Sequence, residues 1–195
     1  MSQVELRLPA RYCRAMRIVS LPGEIKGLAF DIDKTLYDND YYARNQIDLL
    51  IERLSHERGE SVAETRRAVL RWQEEYAAAN DGARQSLGNT FAALGIPIEQ
   101  SVAWRVELIH PEHFLQADDL LQTAISQLAE QFRLVAVTNN PVRVGRKTLE
   151  TLGVSRSFPE VVGLDSTYRS KPDPAALRYA CEVLELEPRF VVSVG

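Results

Sequence analysis

A short apolar run that ends in two closely spaced acids constrains this chain most. Residues 28–30 are apolar and follow Gly27, and Asp31 and Asp33 come directly after them. A compact apolar run between a glycine and a polar cluster predicts a buried strand. Open α/β sheets bind ligands at the carboxyl ends of their strands, where the two acids would lie. Two buried carboxylates are costly unless a cation or a reaction requires them, so this stretch indicates a functional site.

Paired acids at this spacing also occur in calcium-binding loops, but the rest of that pattern is missing. A calcium loop of this kind needs a glycine shortly after the second acid and a glutamate at its twelfth position. Here the glycine is absent and the twelfth position is Tyr42. The remaining simple alternative is that both acids only cap a turn.

Length and composition set the class of protein. A chain of 195 residues allows one domain, or one domain with an insertion. Its net charge of −4 gives no general attraction to a nucleic acid polymer or to an anionic membrane. No apolar run approaches the roughly 18 residues of a membrane helix. Cys13 and Cys181 lie far apart, which predicts free thiols and a cytoplasmic location.

The pattern after Tyr37 predicts helices without a strand for about 75 residues. The first helix places Ile47, Leu50, Ile51 and Leu54 on one face. A capping box at Ser61 and Glu64 begins the second. The predicted helices are 41–57, 61–79, one around 87–94, and 98–109. An all-helical insertion directly after a candidate catalytic strand is typical of a lid or cap.

Strands and helices alternate in the rest of the chain. This alternation predicts a doubly wound parallel sheet with right-handed crossovers. The predicted strands are 132–137, 161–163 and 190–194, and the predicted helices are 117–130, 141–152 and 174–186.

Two further motifs contain residue types that suit phosphate binding or catalysis. Thr138 and Asn139 follow the second strong strand and precede a helix, where a hydroxyl and backbone N–H groups can bind an anion. Lys171 precedes Pro172, which restricts the backbone and gives the lysine a defined direction. One compact cation would offset the repulsion between two carboxylates and a phosphate. Taken singly, Thr138 is also consistent with a helix cap and Lys171 with a surface lysine.

In order and spacing, the three motifs resemble motifs I to III of the haloacid dehalogenase-like (HAD) hydrolases. The resemblance covers about residues 25–195, and the helical insertion falls where this family places its C1-type cap. It implies an α/β fold with a Rossmann-like core, formed by residues 23–38 and 114–195, and a helical cap, residues 39–113. Residues 1–22 form an N-terminal arm in this interpretation.

The resemblance also implies an activity, the Mg²⁺-dependent hydrolysis of a small phosphate monoester. Asp31 would attack phosphorus and form an aspartyl-phosphate, and Asp33 would transfer the proton. Lys171 would steady the nucleophile and the phosphate, whose oxygens Thr138 and Asn139 would bind. Asp31 and Asp33 would hold Mg²⁺. The expected partner is a small phosphorylated metabolite.

Motif I is similar in detail to the pyrimidine 5′-nucleotidase branch of this family. The loop at residues 80–88 corresponds in position to that branch's specificity loop, which suggests Gly82, Arg84 and Gln85 as substrate contacts. A 2-haloacid dehalogenase and a phosphosugar mutase share the fold and remain alternatives. A HAD-like binding module without catalysis is a third.

The fourth motif of the family is incomplete here. Residues 191–195 supply an apolar strand and a glycine, without the acids that would complete the Mg²⁺ site. The strand is apolar on both faces, as a covered interior strand would be, and an exposed edge of this kind invites aggregation. We therefore expect the natural chain to continue past Gly195 with such an acid and another strand.

Overall fold

The apolar runs that predict strands lie together in one parallel sheet. The computed structural model describes residues 23–83 and 85–195, so the predicted arm, residues 1–22, and Arg84 lie outside the described residues. All pairings in the sheet are parallel, with the order β3-β2-β1-β4. The strands are β1 (Gly27–Phe30), β2 (Arg133–Val137), β3 (Glu160–Val162) and β4 (Val191–Val194). The predicted α/β fold is confirmed, and β4 lies at one edge of the described sheet.

The helices follow the predicted order with small changes in their bounds. The helix predicted at 174–186 is shorter, and a four-residue helix after β3 was not predicted because one turn shows no period. The described α-helices are α1 (Asp40–Arg58), α2 (Val62–Ala79), α3 (Leu87–Ala93), α4 (Ile98–Leu108), α5 (Asp119–Ala129), α6 (Val142–Leu152), α7 (Leu164–Thr167) and α8 (Ala175–Val183). Of these described helices, none combines the length and the apolarity needed to cross a bilayer.

Both faces of the sheet are covered by apolar side chains. Leu28 and Phe30 of β1 pack into one cluster, while Ala29 between them packs into the cluster on the opposite face. This follows from the two-residue period of a strand, and it explains why the strands read as continuous apolar runs.

The helices α1 to α4 build a separate apolar cluster from Leu50, Leu54, Val69, Phe91 and Trp104. The capping box at the start of α2 is confirmed, and α1 ends at a glycine with φ of +64°. These four helices thus bury apolar surface against one another.

One prediction about α1 was wrong. Ile47 was placed on the buried face, but it is 44% exposed, and the neighbouring Gln46 is buried instead. The N-terminal half of α1 faces the acid pair, so a polar side chain occupies the inward position there.

Strand register brings the motifs to one edge of the sheet. Phe30 of β1 lies opposite Ala136 of β2 and Val194 of β4. The carboxyl ends of the three strands therefore align. Asp31 and Thr138, which follow β1 and β2, meet at this edge.

Candidate active site

The first acid lies between the ends of two strands. The backbone N–H of Asp31 donates to the Val194 carbonyl at 2.8 Å. Gly195 is so close that an added Cβ would lie 3.0 Å from the Asp31 Cβ. The turn after Asp33 passes through Lys34, whose φ of +64° is uncommon for a residue with a side chain. The backbone around the acids is thus tightly constrained.

Lys171 contacts Asp31 directly. Its Nζ lies 2.7 Å from Oδ1 of Asp31 and donates to the Val137 carbonyl at 2.9 Å. The side chain of Asn139 holds the lysine's backbone, since its Oδ1 accepts from the Lys171 N–H at 2.7 Å and its Nδ2 donates to the Lys171 carbonyl at 3.4 Å. The structure thus brings Asp31, Lys171 and Asn139 together.

The charge on Asp31 depends on this lysine. Burial is the largest effect on the pKa of the Asp31 carboxyl and raises it, whereas the charge and hydrogen bond of Lys171 lower it. The charge of Asp33 adds a smaller upward effect. The net direction is upward, so the ionisation of Asp31 is sensitive to Lys171, the cation that contacts it.

Asp33 is held by donors on both carboxylate oxygens. The Tyr37 hydroxyl donates to Oδ1 at 2.6 Å and the Gln46 amide donates to the same atom at 3.2 Å. The Thr138 hydroxyl donates to Oδ2 at 3.0 Å, and Asn140 Nδ2 donates to it at 3.2 Å. A carboxylate with this many donors is fixed in position and direction.

Sequence reasoning assigned no role to Tyr37, Gln46 or Asn140. Gln46 joins the two sides of the site, because its Oε1 also accepts from Asn140 Nδ2 at 2.9 Å. Burial, followed by the charge of Asp33, raises the pKa of the Tyr37 hydroxyl, so this group remains a donor at neutral pH. A polar residue four positions before Leu50, on an otherwise apolar helix face, is the signal that could have identified Gln46.

The Thr138 hydroxyl is already engaged within the protein. Only 2% of Thr138 is exposed. Besides donating to Asp33, its Oγ1 accepts from the backbone N–H of Asn140 at 3.0 Å. Its predicted contact with a phosphate stays a prediction.

Two of the predicted substrate contacts, Gly82 and Gln85, are among the described residues. Gly82 is in the turn after α2, with φ of +79°, and Gln85 accepts a hydrogen bond from Asn89 Nδ2 at 2.7 Å. Within the described residues, neither hydrogen-bonds to the acid pair. A cleft of about 540 Å³ is lined by Asn89 of α3 and by Arg169 and Ser170, the residues before Lys171. A role for Gly82, Arg84 and Gln85 in substrate contact stays a prediction.

The acids offer oxygen ligands of the kind that Mg²⁺ prefers. Among residues 23–83 and 85–195, no cluster of three acidic, histidine or cysteine side chains is present. Oδ2 of Asp31 and the main-chain carbonyl of Asp33 have no hydrogen-bond donor from the described residues. Because Mg²⁺ keeps several waters and often uses one or two carboxylates plus phosphate oxygens, these two oxygens fit it.

The fold and the position of the acids define the class of protein. It is an open parallel α/β protein with paired carboxylates after its first strand and a set of helices inserted before its second. The model of the family described as haloacid dehalogenase-like hydrolase matches residues 25–195. The chain belongs to that family.

Solved structures support the fold. The chain is 22% identical to a HAD phosphatase from Thermococcus onnurineus, with a TM-score of 0.53, covering 87% of this chain and 76% of that one. It is 21% identical to the putative HAD-hydrolase YfnB from Bacillus subtilis, with a TM-score of 0.51, covering 87% and 77%.

Sequence relatives match over shorter stretches. A phosphoglycolate phosphatase of Psychrobacter arcticus is 45% identical over 67 residues, which are 34% of this chain and 29% of that protein. An N-acetylmuramic acid 6-phosphate phosphatase of Pseudomonas putida is 39% identical over 59 residues, 30% and 26%. The chain thus matches less than a third of the length of each of these two relatives.

Proposed function

We propose that this protein hydrolyses a small phosphate monoester, with Asp31 as nucleophile and Asp33 as the proton-transferring acid. The main support is that the two carboxylates lie in different hydrogen-bonding environments. Asp31 has Lys171 on Oδ1 at 2.7 Å and leaves Oδ2 without a donor among the described residues. Asp33 instead has donors on both oxygens. Two neighbouring acids in such different environments suit divided roles.

In the first step, an ionised oxygen of Asp31 attacks phosphorus and the bond from phosphorus to the alcohol oxygen breaks. A proton passes from Asp33 to the leaving oxygen as this bond breaks. In the second step, Asp33 takes a proton from a water molecule that attacks the aspartyl-phosphate. Inorganic phosphate leaves and Asp31 is regenerated.

Other residues bind the phosphoryl group and neutralise its negative charge. Lys171 balances the negative charge of Asp31 and of the phosphoryl group, and Asn139 positions Lys171 through its backbone. Thr138 and the Asn139 backbone N–H are the proposed phosphoryl contacts. Oδ2 of Asp31 and the main-chain carbonyl of Asp33 would hold Mg²⁺, which supplies charge neutralisation of the phosphoryl oxygens when bound.

The helices α1 to α4 act as a cap in this proposal. They exclude water from the acids and contact the alcohol part of the substrate. The support is their separate apolar cluster and the link from Gln46 on α1 to Asp33. The proposed division is a cap at 39–113 between core segments 23–38 and 114–195. A cytoplasmic location stays a prediction.

The relatives suggest which esters to test. Their names give phosphoglycolate and N-acetylmuramic acid 6-phosphate as substrates of those proteins. The pyrimidine nucleotides suggested by motif I belong in the same panel. A sugar bisphosphate with product analysis separates hydrolysis from a mutase reaction, and a 2-haloacid tests for dehalogenation.

The Asp31→Asn variant tests the proposal. We expect it to abolish phosphate release from p-nitrophenyl phosphate, because the amide cannot attack phosphorus. The matched control is Asp48→Asn, since Asp48 is an exposed acid paired with Arg66. Chelation of Mg²⁺ should abolish wild-type turnover and added Mg²⁺ should restore it. Normal turnover by Asp31→Asn would remove Asp31 as nucleophile.

A further inference from the structure

Gln46 of α1 is a buried side chain whose amide contacts the surroundings of Asp33. Only 8% of the residue is exposed. Its Nε2 donates to Asp33 Oδ1 at 3.2 Å and to the Tyr37 hydroxyl at 3.3 Å. Its Oε1 accepts from Asn140 Nδ2 at 2.9 Å. The side chain therefore bridges the loops that follow β1 and β2, and both ends of its amide are hydrogen-bonded.

The partners fix the direction of the Gln46 amide. Asn140 Nδ2 can only donate, so it requires the amide oxygen, whereas the carboxylate oxygens of Asp33 accept from the amide nitrogen. Turning the amide over would place two NH₂ groups against each other and an oxygen against the carboxylate. Asn140 Nδ2 in turn donates to Asp33 Oδ2 at 3.2 Å. Gln46 thus holds Asp33 directly through Oδ1 and indirectly through the donor on Oδ2.

An apolar residue would satisfy the packing at this position of α1. Tyr42, Gln46 and Leu50 follow one another at intervals of four along one face of the helix. Tyr42 packs into a core cluster on one face of the sheet, Leu50 packs into the cluster of α1 to α4, and the glutamine lies between them. A buried amide needs hydrogen-bond partners, whereas an apolar side chain needs none. The glutamine is therefore best explained by the acid that it contacts.

We propose that Gln46 is a positioning residue for the proposed reaction. It acts through Asp33, by holding the carboxyl group in the direction from which a proton passes to the leaving oxygen. This inference rests on the proposed function and goes beyond it, because it gives the helical insertion a part in proton transfer besides the exclusion of water. The direction matters because a proton donor must lie within hydrogen-bond reach of the oxygen that it protonates.

The contribution of Gln46 should depend on the alcohol that leaves. A basic alkoxide needs a proton as its bond to phosphorus breaks, whereas p-nitrophenolate is weakly basic and leaves with little help. Three aromatic esters of similar size span this range. They are p-nitrophenyl, phenyl and benzyl phosphate, in order of rising basicity of the leaving oxygen. The quantity to compare is kcat/KM, because it covers the steps through loss of the alcohol and not the later hydrolysis of the aspartyl-phosphate.

The test replaces Gln46 by methionine, which is similar in length but makes none of these hydrogen bonds. We expect kcat/KM to fall by about tenfold or more for benzyl phosphate, less for phenyl phosphate, and by less than about threefold for p-nitrophenyl phosphate. Gln46→Glu should give the same order, because an ionised carboxylate cannot donate to Asp33. The control is Gln73→Met. The Gln73 amide donates to Thr90 within the insertion at 3.3 Å, so this change should alter all three values by the same factor.

The outcomes separate the two proposals. If the wild type hydrolyses no phosphate ester, the proposed function fails and this inference fails with it. If esters are hydrolysed and Gln46→Met lowers kcat/KM by the same factor for all three, or leaves all three unchanged, only this inference is overturned. If the wild type does not accept benzyl phosphate, the comparison of phenyl with p-nitrophenyl phosphate decides.

Folding is checked separately. If Gln46→Met does not fold, the result for Gln46→Glu decides. Failure of both variants to fold would assign Gln46 to the folding of the chain and would also overturn the inference.

Discussion

Replacing Lys171 by methionine should raise the pKa of Asp31 and shift the acid limb of the pH–rate profile to higher pH. Lys171 Nζ lies 2.7 Å from Oδ1 of Asp31, and the two side chains are 22% and 35% exposed. Burial already raises the pKa of the Asp31 carboxyl, and Lys171 is the largest opposing effect. Without the cation, that opposition is lost and only the upward effects and one backbone hydrogen bond remain.

The size of the shift follows from the geometry. At 2.7 Å, Coulomb's law gives about 1.5 kcal/mol in water and about 6 kcal/mol at an effective dielectric constant of 20. Because 35% of the Asp31 side chain is exposed, solvent screening favours the lower end. We take about 2 kcal/mol as the contribution of Lys171 to the ionised form of Asp31.

The same change predicts the sign of a stability effect. An acid with a raised pKa in the folded protein costs folding free energy once the pH exceeds that pKa, and this cost is larger when Lys171 is absent. Lys171→Met should therefore be destabilised more at about pH 7 than at about pH 4, with a difference of about 2 kcal/mol. In a chain of this length, that is a difference in Tm of about 4–8 °C.

Two assays check the prediction. The first is kcat/KM for p-nitrophenyl phosphate between about pH 4 and pH 9, with Arg169→Met as the control because the Arg169 side chain is 67% exposed. The second is thermal unfolding over the same pH range, which does not require turnover. The prediction fails if the acid limbs of wild type and Lys171→Met fall at the same pH and their difference in stability does not change with pH. The two results together would refute a functional ion pair between Lys171 and Asp31.

Two further substitutions test a hydrogen bond to Asp33 and the close packing at Gly163. Tyr37→Phe removes the 2.6 Å hydrogen bond to Asp33 Oδ1 and should lower kcat about tenfold or more with little change in KM; a kcat within about twofold of wild type would contradict this. Gly163→Ala places a Cβ 2.3 Å from the Val142 nitrogen and should lower the unfolding free energy by about 1–3 kcal/mol. Gly23→Ala, with open space around it, is the control in urea unfolding, and equal midpoints for both variants would disprove the clash.

Most of the fold is predictable because its signals are local. The runs before Asp31 and Thr138 are apolar enough to indicate covered strands, and the alternation of strands with helices indicates a parallel sheet. The capping box of α2 is likewise readable from two residues three positions apart. The four residues of α7 are too few for a helical period to be recognised, whereas the seven of α3 were predicted.

The candidate site is predictable only where a residue stands at the end of a predicted strand or in a restricted loop. Asp31, Thr138 and Lys171 meet that condition. Gln46 does not, because it is a polar residue within a helix, and only tertiary packing decides whether it faces water or the site. In α1 the periodicity placed Ile47 inward, yet the structure buries Gln46, since the neighbours of that position are Asp33 and Asn140.

Gln46 links the helical insertion to the acid pair. It is part of α1, which also packs against α2 and α4, and its amide donates to Asp33 while accepting from Asn140. A movement of α1 away from the sheet would therefore break hydrogen bonds to Asp33 before it changed any contact of Asp31 with Lys171. In the proposed reaction, α1 would thus help to position the proton-transferring acid, whereas the contacts described for the nucleophile and its lysine come from the strands and the loops that follow them. Under this proposal, proton transfer and the exclusion of water would both depend on the position of α1.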